Sequence, residues 1–450
     1  MKKTILFPTL CIFLCFSFYV GAADNEKPTK RQIKKQVTSD RQIVYAFWSM
    51  ITDEYIYPVN SSKLLEACKL KVGLTPEEYT DKKEELSKAE VVKGIEELFP
   101  FQTEVDDLSV LRQRRDDCLA GFVSILDERS QYIDEEELKS LTEHKGAATG
   151  IELKSVENGL KVVSVYENSP AEAAGIKKDD VIRAIDGLET LGIKLAKAIN
   201  MLRGKPGTKV ELLVEKQGEV NLIPIVVERG HFKIISVKSN LFQDGVGYVQ
   251  LKNFNKDAAK SLANAIKELE LQNKKPLTGI ILDLRENGGG LFSESVGVAA
   301  AFLPKDRLVT YTGGRKEESN LRLTTDRDFY IRTSEEDFID SLPSSIKTIP
   351  VVVLINNSTG GSAEVVAGAL QDHERATIMG VQSSGHGTLQ TILPTNIGTA
   401  LKISTAKIFT PLGHSFDVSG ISPDLRLSEG DWIKIAKEYI VQKSETGLSP

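Results

Sequence analysis

The chain has 450 residues, of which 41% are hydrophobic and 27% charged, so it is long enough for two or three domains. These fractions exclude a disordered chain and are typical of globular domains with a hydrophobic core. The formal net charge of −6 is small and negative, which argues against nucleic acid or anionic lipid as the main partner.

The N-terminus has the pattern of a secretion signal. A basic start at Lys2 and Lys3 precedes an apolar run from Ile5 to Val20, and small residues follow at 21–23. A membrane anchor is the alternative, but the run is short and ends in small residues, which favours cleavage. We therefore expect residues 1–22 to be a signal peptide and the mature protein to be periplasmic.

Two cysteines remain after this segment, Cys68 and Cys118. An oxidising compartment would allow them to form a disulfide. Two buried thiols on helices are the alternative, and the sequence does not choose between them.

Changes in periodicity divide the chain. Residues 23–42 are polar and Lys-rich and are predicted to be a loose leader. Apolar residues at three- and four-residue spacing then predict a helical N-terminal region over 43–145. From residue 146 the period changes to two, which predicts a β-rich module over 146–229.

The segment 230–430 alternates strands and helices, which predicts an α/β core with a mixed sheet and flanking helices. The runs Gly279–Arg285 and Pro350–Asn356 are almost entirely apolar, as expected for buried parallel strands. Residues 431–450 are predicted to form a C-terminal helix and tail.

A glycine loop, Glu286–Gly290, follows the first of these strands. Consecutive glycines can expose backbone N–H groups, and such groups can stabilise an oxyanion. A tight strand-to-helix turn would have the same composition, so spacing alone leaves both interpretations open.

Six segments occur in an order that resembles the C-terminal processing (tail-specific) serine peptidases with a PDZ domain. The resemblance covers residues 43–427 and is carried by Leu126–Tyr132, Thr149–Leu153, Ser169–Gly187, Asp283–Gly290, Glu364–His373 and Gly413–Asp424. It implies a protease α/β core with an inserted PDZ domain, and a serine–lysine dyad that acts without a metal or other cofactor.

The resemblance also assigns binding residues. Gly150, Ile151 and Leu153 would hold the C-terminus of an unstructured polypeptide, which adds as a strand beside the module. The alternative is a module that only packs against the core. Gly289 and Ser362 would supply the oxyanion-binding N–H groups.

The dyad positions, however, carry other residues. The family serine falls three residues before Glu364, at Gly361, and the family lysine 25 residues later, at His386. Gln390, which would orient the lysine, is kept. Glycine cannot attack a carbonyl, and loss of a nucleophile typically lowers kcat about a million-fold.

Ser362 could replace the missing serine by pairing with His386. Alternatively, Ser362 is the N-cap of a helix over Ala363–Leu370, and His386 is a surface histidine. The leading hypothesis is therefore a pseudopeptidase that binds unstructured C-termini, with an active serine endopeptidase as the alternative and a purely structural subunit as the third. Expected partners are tail-exposed proteins, an active homologous peptidase and further copies of the chain.

Overall fold

The computed structural model describes residues 27–74, 85–102, 104–142, 147–219, 221–232, 235–331 and 336–446. The predicted signal peptide lies outside these ranges. Within them, no helix is long and apolar enough to cross a membrane.

The N-terminal region is helical, as predicted, but it begins earlier. The leader predicted for 23–42 is wrong from Lys30 onward, because Thr29 and Gln32 form a capping box and Ile33 and Val37 are buried one turn apart. The elements of this region are α1 (Lys30–Glu54), α2 (Ser61–Lys71), α3 (Lys88–Leu98), α4 (Leu108–Val123), β1 (Gln131–Ile133) and α5 (Glu135–Thr142).

A disulfide joins α2 to α4 through Cys68 and Cys118, which confirms the pairing that the sequence left open. The two helices come close at Gly121. A Cβ at that position would lie 2.6 Å from the carbonyl oxygen of Ala67, so only glycine permits this approach. The disulfide adds a covalent link between two helices of a region whose helices otherwise pack through their apolar faces.

The β-rich domain contains β2 (Ile151–Val156), β3 (Gly159–Val165), α6 (Pro170–Ala173), β4 (Val181–Ile185), β5 (Leu188–Glu189), α7 (Leu195–Leu202), β6 (Lys209–Glu215) and β7 (Leu222–Glu228). Its antiparallel sheet has the order β2-β3-β4-β6-β7, with β5 on β4. Strand β2 lies at an edge, and α7 packs beside it.

The core contains β8 (Val237–Leu241), β9 (Val246–Leu251), α8 (Ala258–Asn273), β10 (Gly279–Asp283), α9 (Phe292–Phe302), β11 (Leu308–Gly314), β12 (Arg322–Thr324), β13 (Val351–Ile355), α10 (Ser362–Asp372), β14 (Thr377–Gly380), β15 (Thr388–Pro394), β16 (Ala400–Phe409), β17 (Leu425–Arg426) and α11 (Trp432–Glu445).

The central sheet of the core is mixed, as predicted. Its order is β17-β14-β13-β10-β9-β8, and all neighbouring strands are parallel except the antiparallel pair of β8 with β9. A second, antiparallel sheet of β1-β16-β11-β12, with β15 on β16, was not predicted. It ties the N-terminal region to the core, because Gln131 of β1 pairs with Lys402 of β16.

The parallel pairing of β10 with β13 positions the candidate site. Asp283 and Leu354 are partners near the carboxyl ends of these strands. The glycine loop 286–290 and the turn 356–361 therefore leave the sheet side by side, at the edge where open α/β sheets bind ligands.

We expect the disulfide to contribute substantially to stability. Replacement of both Cys68 and Cys118 by serine should lower the free energy of unfolding by about 2–4 kcal/mol, since the bond closes a loop with a sequence separation of 50 residues. Urea denaturation measures this, and a reducing agent should destabilise the parent but not the variant. Equal stability of the parent and the variant in the absence of a reducing agent would contradict this contribution of the disulfide.

Candidate active site

The turn between β13 and α10 ends at Gly361, the residue that the sequence spacing predicts for the nucleophile position. Its backbone is in the left-handed half of conformational space, with φ +54° and ψ −117°. A Cβ built on Gly361 would meet nothing closer than the Gly288 carbonyl oxygen at 3.7 Å. The site therefore has room for a side chain, but this chain supplies none.

The predicted N-cap role of Ser362 is wrong. Helix α10 begins at Ser362 itself, and Gly361 is the N-cap. The Ser362 side chain is buried, and its Oγ donates to the carbonyl oxygen of Gly290 at 3.1 Å. Among the described residues, no hydrogen bond joins Ser362 to His386, so the alternative Ser–His pair is not assembled here.

The carboxylate of Glu364 links the two halves of the site. It is fully buried and accepts hydrogen bonds from three backbone N–H groups and one hydroxyl. These donors are Gly361 (2.9 Å), Gly385 (2.7 Å), His386 (2.8 Å) and the Oγ of Ser383 (2.5 Å). The carboxylate thereby fixes the backbone of residue 361 relative to the backbone of residue 386.

The imidazole of His386 is exposed at the candidate site and packs against Gly360. The side chain of Gln390, predicted to orient residue 386, instead binds Thr388. Its Nε2 donates to the Thr388 carbonyl oxygen at 2.9 Å and to Oγ1 at 2.8 Å. Gln390 therefore holds the strand that follows His386 rather than the imidazole.

Arg129 is a site residue that the sequence analysis did not single out, although it lies inside the segment Leu126–Tyr132. Its guanidinium donates to the carbonyl oxygen of Gly385 at 2.8 Å and to Oγ1 of Thr388 at 3.0 Å. It also pairs with Asp417 at 3.0 Å. The segment that carries His386 is thus fastened on both sides to the N-terminal region.

Asp417 makes a further contact with that region. Its Oδ2 accepts a hydrogen bond of 2.5 Å from the Tyr57 hydroxyl. Burial, followed by this hydrogen bond, raises the pKa of Tyr57 to about 12. Tyr57 therefore remains a neutral donor at physiological pH.

The glycine loop lies directly against the turn at residue 361. A Cβ on Gly289 would lie 2.9 Å from the Gly360 carbonyl oxygen and 3.0 Å from the Ser362 nitrogen. The Gly289 N–H, predicted to bind an oxyanion, donates here to Oδ1 of the buried Asn287 at 2.9 Å. The oxyanion-binding role of Gly289 and Ser362 stays a prediction.

These elements surround a cleft of about 540 Å³. Its apolar wall contains Phe292, Leu389 and Ile408, and its polar residues include Arg129, Gln390, Lys402 and His386. Such a surface can bind a peptide with an apolar side chain and hydrogen-bond its backbone, but it presents no nucleophile at residue 361.

The residues predicted to bind a peptide terminus lie at the edge of the β-rich domain. Gly150 has φ +85° and precedes β2, whose outer edge pairs with no other described strand. Ile151 and Leu153 belong to β2, and Leu153 is buried in the domain core. The peptide-binding role of these three residues stays a prediction.

The buried carboxylate of Glu364 should be essential for the stability of this site. We expect Glu364→Ala to lower the free energy of unfolding by about 3–5 kcal/mol, because it leaves several buried donors without an acceptor. Chemical denaturation measures the loss. Glu438→Ala, at an exposed position, is the control and should change stability by less than about 0.5 kcal/mol. Equal effects of the two substitutions would contradict this role.

Comparisons with known proteins identify the family. Residues 245–427 match the model of peptidase family S41, and residues 161–216 match the PDZ domain. The chain is 36% identical over 316 residues to a carboxy-terminal-processing protease of Bartonella bacilliformis, covering 69% of this chain and 68% of that protein. It is 31% identical over 327 residues to the carboxy-terminal processing protease CtpA of Bacillus subtilis, covering 71% and 65%.

The fold has a counterpart among solved structures. The photosystem II D1 C-terminal processing protease superposes with a TM-score of 0.56 at 22% identity, over 87% of this chain and 93% of that one. This likeness supports the mixed α/β core, the β-rich domain and the helical N-terminal region. The chain therefore belongs to the C-terminal processing proteases of peptidase family S41 and carries the PDZ domain of that family.

Proposed function

We propose that this protein is a periplasmic pseudopeptidase that binds unstructured polypeptide C-termini without cleaving them efficiently. The observation that carries the proposal is Gly361, which occupies the nucleophile position of an otherwise formed cleft. A side chain is absent where covalent catalysis needs one, while the surfaces that would hold a peptide remain.

The position of Ser362 supports the absence of a substitute nucleophile. Its hydroxyl hydrogen is committed to the Gly290 carbonyl, and its side chain is buried. Attack on a peptide would require this hydroxyl to leave its acceptor and reach a histidine that it does not contact in the described part of the chain.

A second cavity supports the path of a bound tail. This cavity, of about 580 Å³, includes Lys194 and Leu195 at the start of α7, in the PDZ domain. It shares the residues Glu128, Ser130 and Gln131 with the cleft. A polypeptide that passes the start of α7 can therefore continue past this shared wall towards Gly361.

The cellular setting is part of the proposal. The basic and apolar N-terminal pattern favours secretion, and the Cys68–Cys118 disulfide fits an oxidising compartment. There the protein would bind tail-exposed proteins, alone or together with an active homologous peptidase. It would escort these proteins or inhibit their cleavage. The helical N-terminal region would be the site of self-association.

A cleavage assay tests the proposal directly. The mature protein should bind an unfolded protein that ends in apolar residues and should leave it uncleaved. The binding affinity should fall at least about tenfold when that terminus is amidated. Binding is measured by fluorescence anisotropy and cleavage by mass spectrometry. Cleavage by the parent that disappears in Ser362→Ala would establish the alternative, an active serine endopeptidase. Failure to bind would reject the tail-binding function.

Restoration of the dyad tests whether only the dyad is missing. Gly361→Ser combined with His386→Lys should raise peptide hydrolysis at least about a hundredfold over the parent, because the turn has room for a side chain. The serine should lower stability by about 1–3 kcal/mol, since φ at 361 is +54°. His386→Lys alone is the control and should gain nothing. No gain in the double variant would mean that other parts of the site also lack catalytic geometry.

A further inference from the structure

The structure leaves no room for a side chain at Gly360. Its backbone does not have a positive φ, so residues with a side chain could adopt the same conformation. A Cβ at Gly360, however, would lie 2.5 Å from Nδ1 of His386 and 2.7 Å from Oγ of Ser384. Both distances are too short for real contacts, so the missing side chain makes room for this imidazole and this hydroxyl.

The hydroxyl of Ser384 is buried without a hydrogen-bond partner among the described residues. The backbone of Ser384 is fixed, because its N–H donates to the Thr359 carbonyl oxygen at 2.9 Å. A buried hydroxyl without a hydrogen-bond partner is unfavourable. Nδ1 of His386 borders the same position, the one that a Cβ of Gly360 would occupy. A hydrogen bond from the Ser384 hydroxyl to Nδ1 would give this hydroxyl the partner that it lacks among the described residues.

We propose that Gly360 and Ser384 are positioning residues that hold the imidazole of His386 in the cleft as a hydrogen-bond donor for bound polypeptide. The Ser384 hydroxyl donates to Nδ1, and Nε2–H is left to donate to a backbone carbonyl oxygen of the bound polypeptide. This inference rests on the proposed function, because it names the group that contacts the bound tail.

The surroundings of His386 support this division of roles. Glu364 binds the backbone N–H of His386, which fixes the main chain and leaves the ring to its own contacts. The ring is exposed and lines the cleft together with Gly361. A neutral imidazole that accepts at Nδ1 carries its proton on Nε2. The space beside Gly361, which a nucleophile would fill, can then receive the oxygen of the ligand.

A double-mutant cycle tests the positioning role. Gly360→Ala and His386→Ala should each weaken binding of an unfolded tail peptide about tenfold, as expected for one hydrogen bond. If Gly360 acts through His386, Gly360→Ala should have no further effect in the His386→Ala background. Additive losses would overturn the proposal. A peptide with an amidated C-terminus is the second ligand, because the proposed function places the terminus itself at β2. The His386→Ala effect should persist after amidation, and an effect that vanishes would overturn the contact with a backbone carbonyl.

Nitrogen-15 NMR of the histidine side chains tests the hydrogen bond without any ligand. The resonances of His386 are those that His386→Ala removes. Ser384→Ala should move the Nδ1 resonance of His386 and leave the other histidines unchanged, whereas an unchanged spectrum would overturn the proposed contact. If the parent protein binds no tail peptide, both the proposed function and the donor role of His386 are rejected. A shift of the His386 Nδ1 resonance in Ser384→Ala would still establish the hydrogen bond that holds the ring.

Discussion

The geometry of the site depends on one buried carboxylate. Glu364 stands in the first turn of α10, where the helix dipole favours negative charge, and it accepts four hydrogen bonds. A buried charge is tolerated only with such partners. Because two of its donors are the backbone N–H groups of Gly361 and His386, the carboxylate holds the turn and the loop together whatever side chains those positions carry.

This dependence on backbone donors explains how the turn and the loop can keep their geometry with glycine at 361 and histidine at 386. The nucleophile and its base contribute side chains, while the turn is held by main-chain groups, by the central sheet and by the glycine loop. In the proposed function, glycine at the position of the family serine removes covalent chemistry and leaves the cleft in place. The proposed function therefore requires that the groups that recognise a peptide be separate from the side chains that would cleave it.

The N-terminal region is part of the site rather than an appendage. Arg129 and Tyr57 bind the segments at 385–388 and at Asp417, and β1 extends the antiparallel sheet that carries β15 and β16. The disulfide between α2 and α4 stiffens this region. The cleft therefore has one wall from the α/β core and another from residues 128–131, which lead into β1 ahead of the PDZ domain.

The family, the mixed α/β core and the strands β10 and β13 can be predicted from the amino-acid sequence alone. Their signals are local: apolar runs, glycine loops, and an ungapped spacing from Gly361 through His386 to Gln390. The helix at Lys30 was missed because its buried face, with Ile33 and Val37, has meaning only against neighbouring helices.

Which side chains come into contact depends on how distant segments fold together. Arg129 and Gly385 are 256 positions apart, and no local pattern pairs them. The sequence likewise offered Ser362 as the partner of His386, whereas folding turns its hydroxyl towards Gly290 and places Ser384 beside the ring. A change of one residue at a strand-to-helix turn redirects a side chain, so spacing could locate the site but could not assign its contacts.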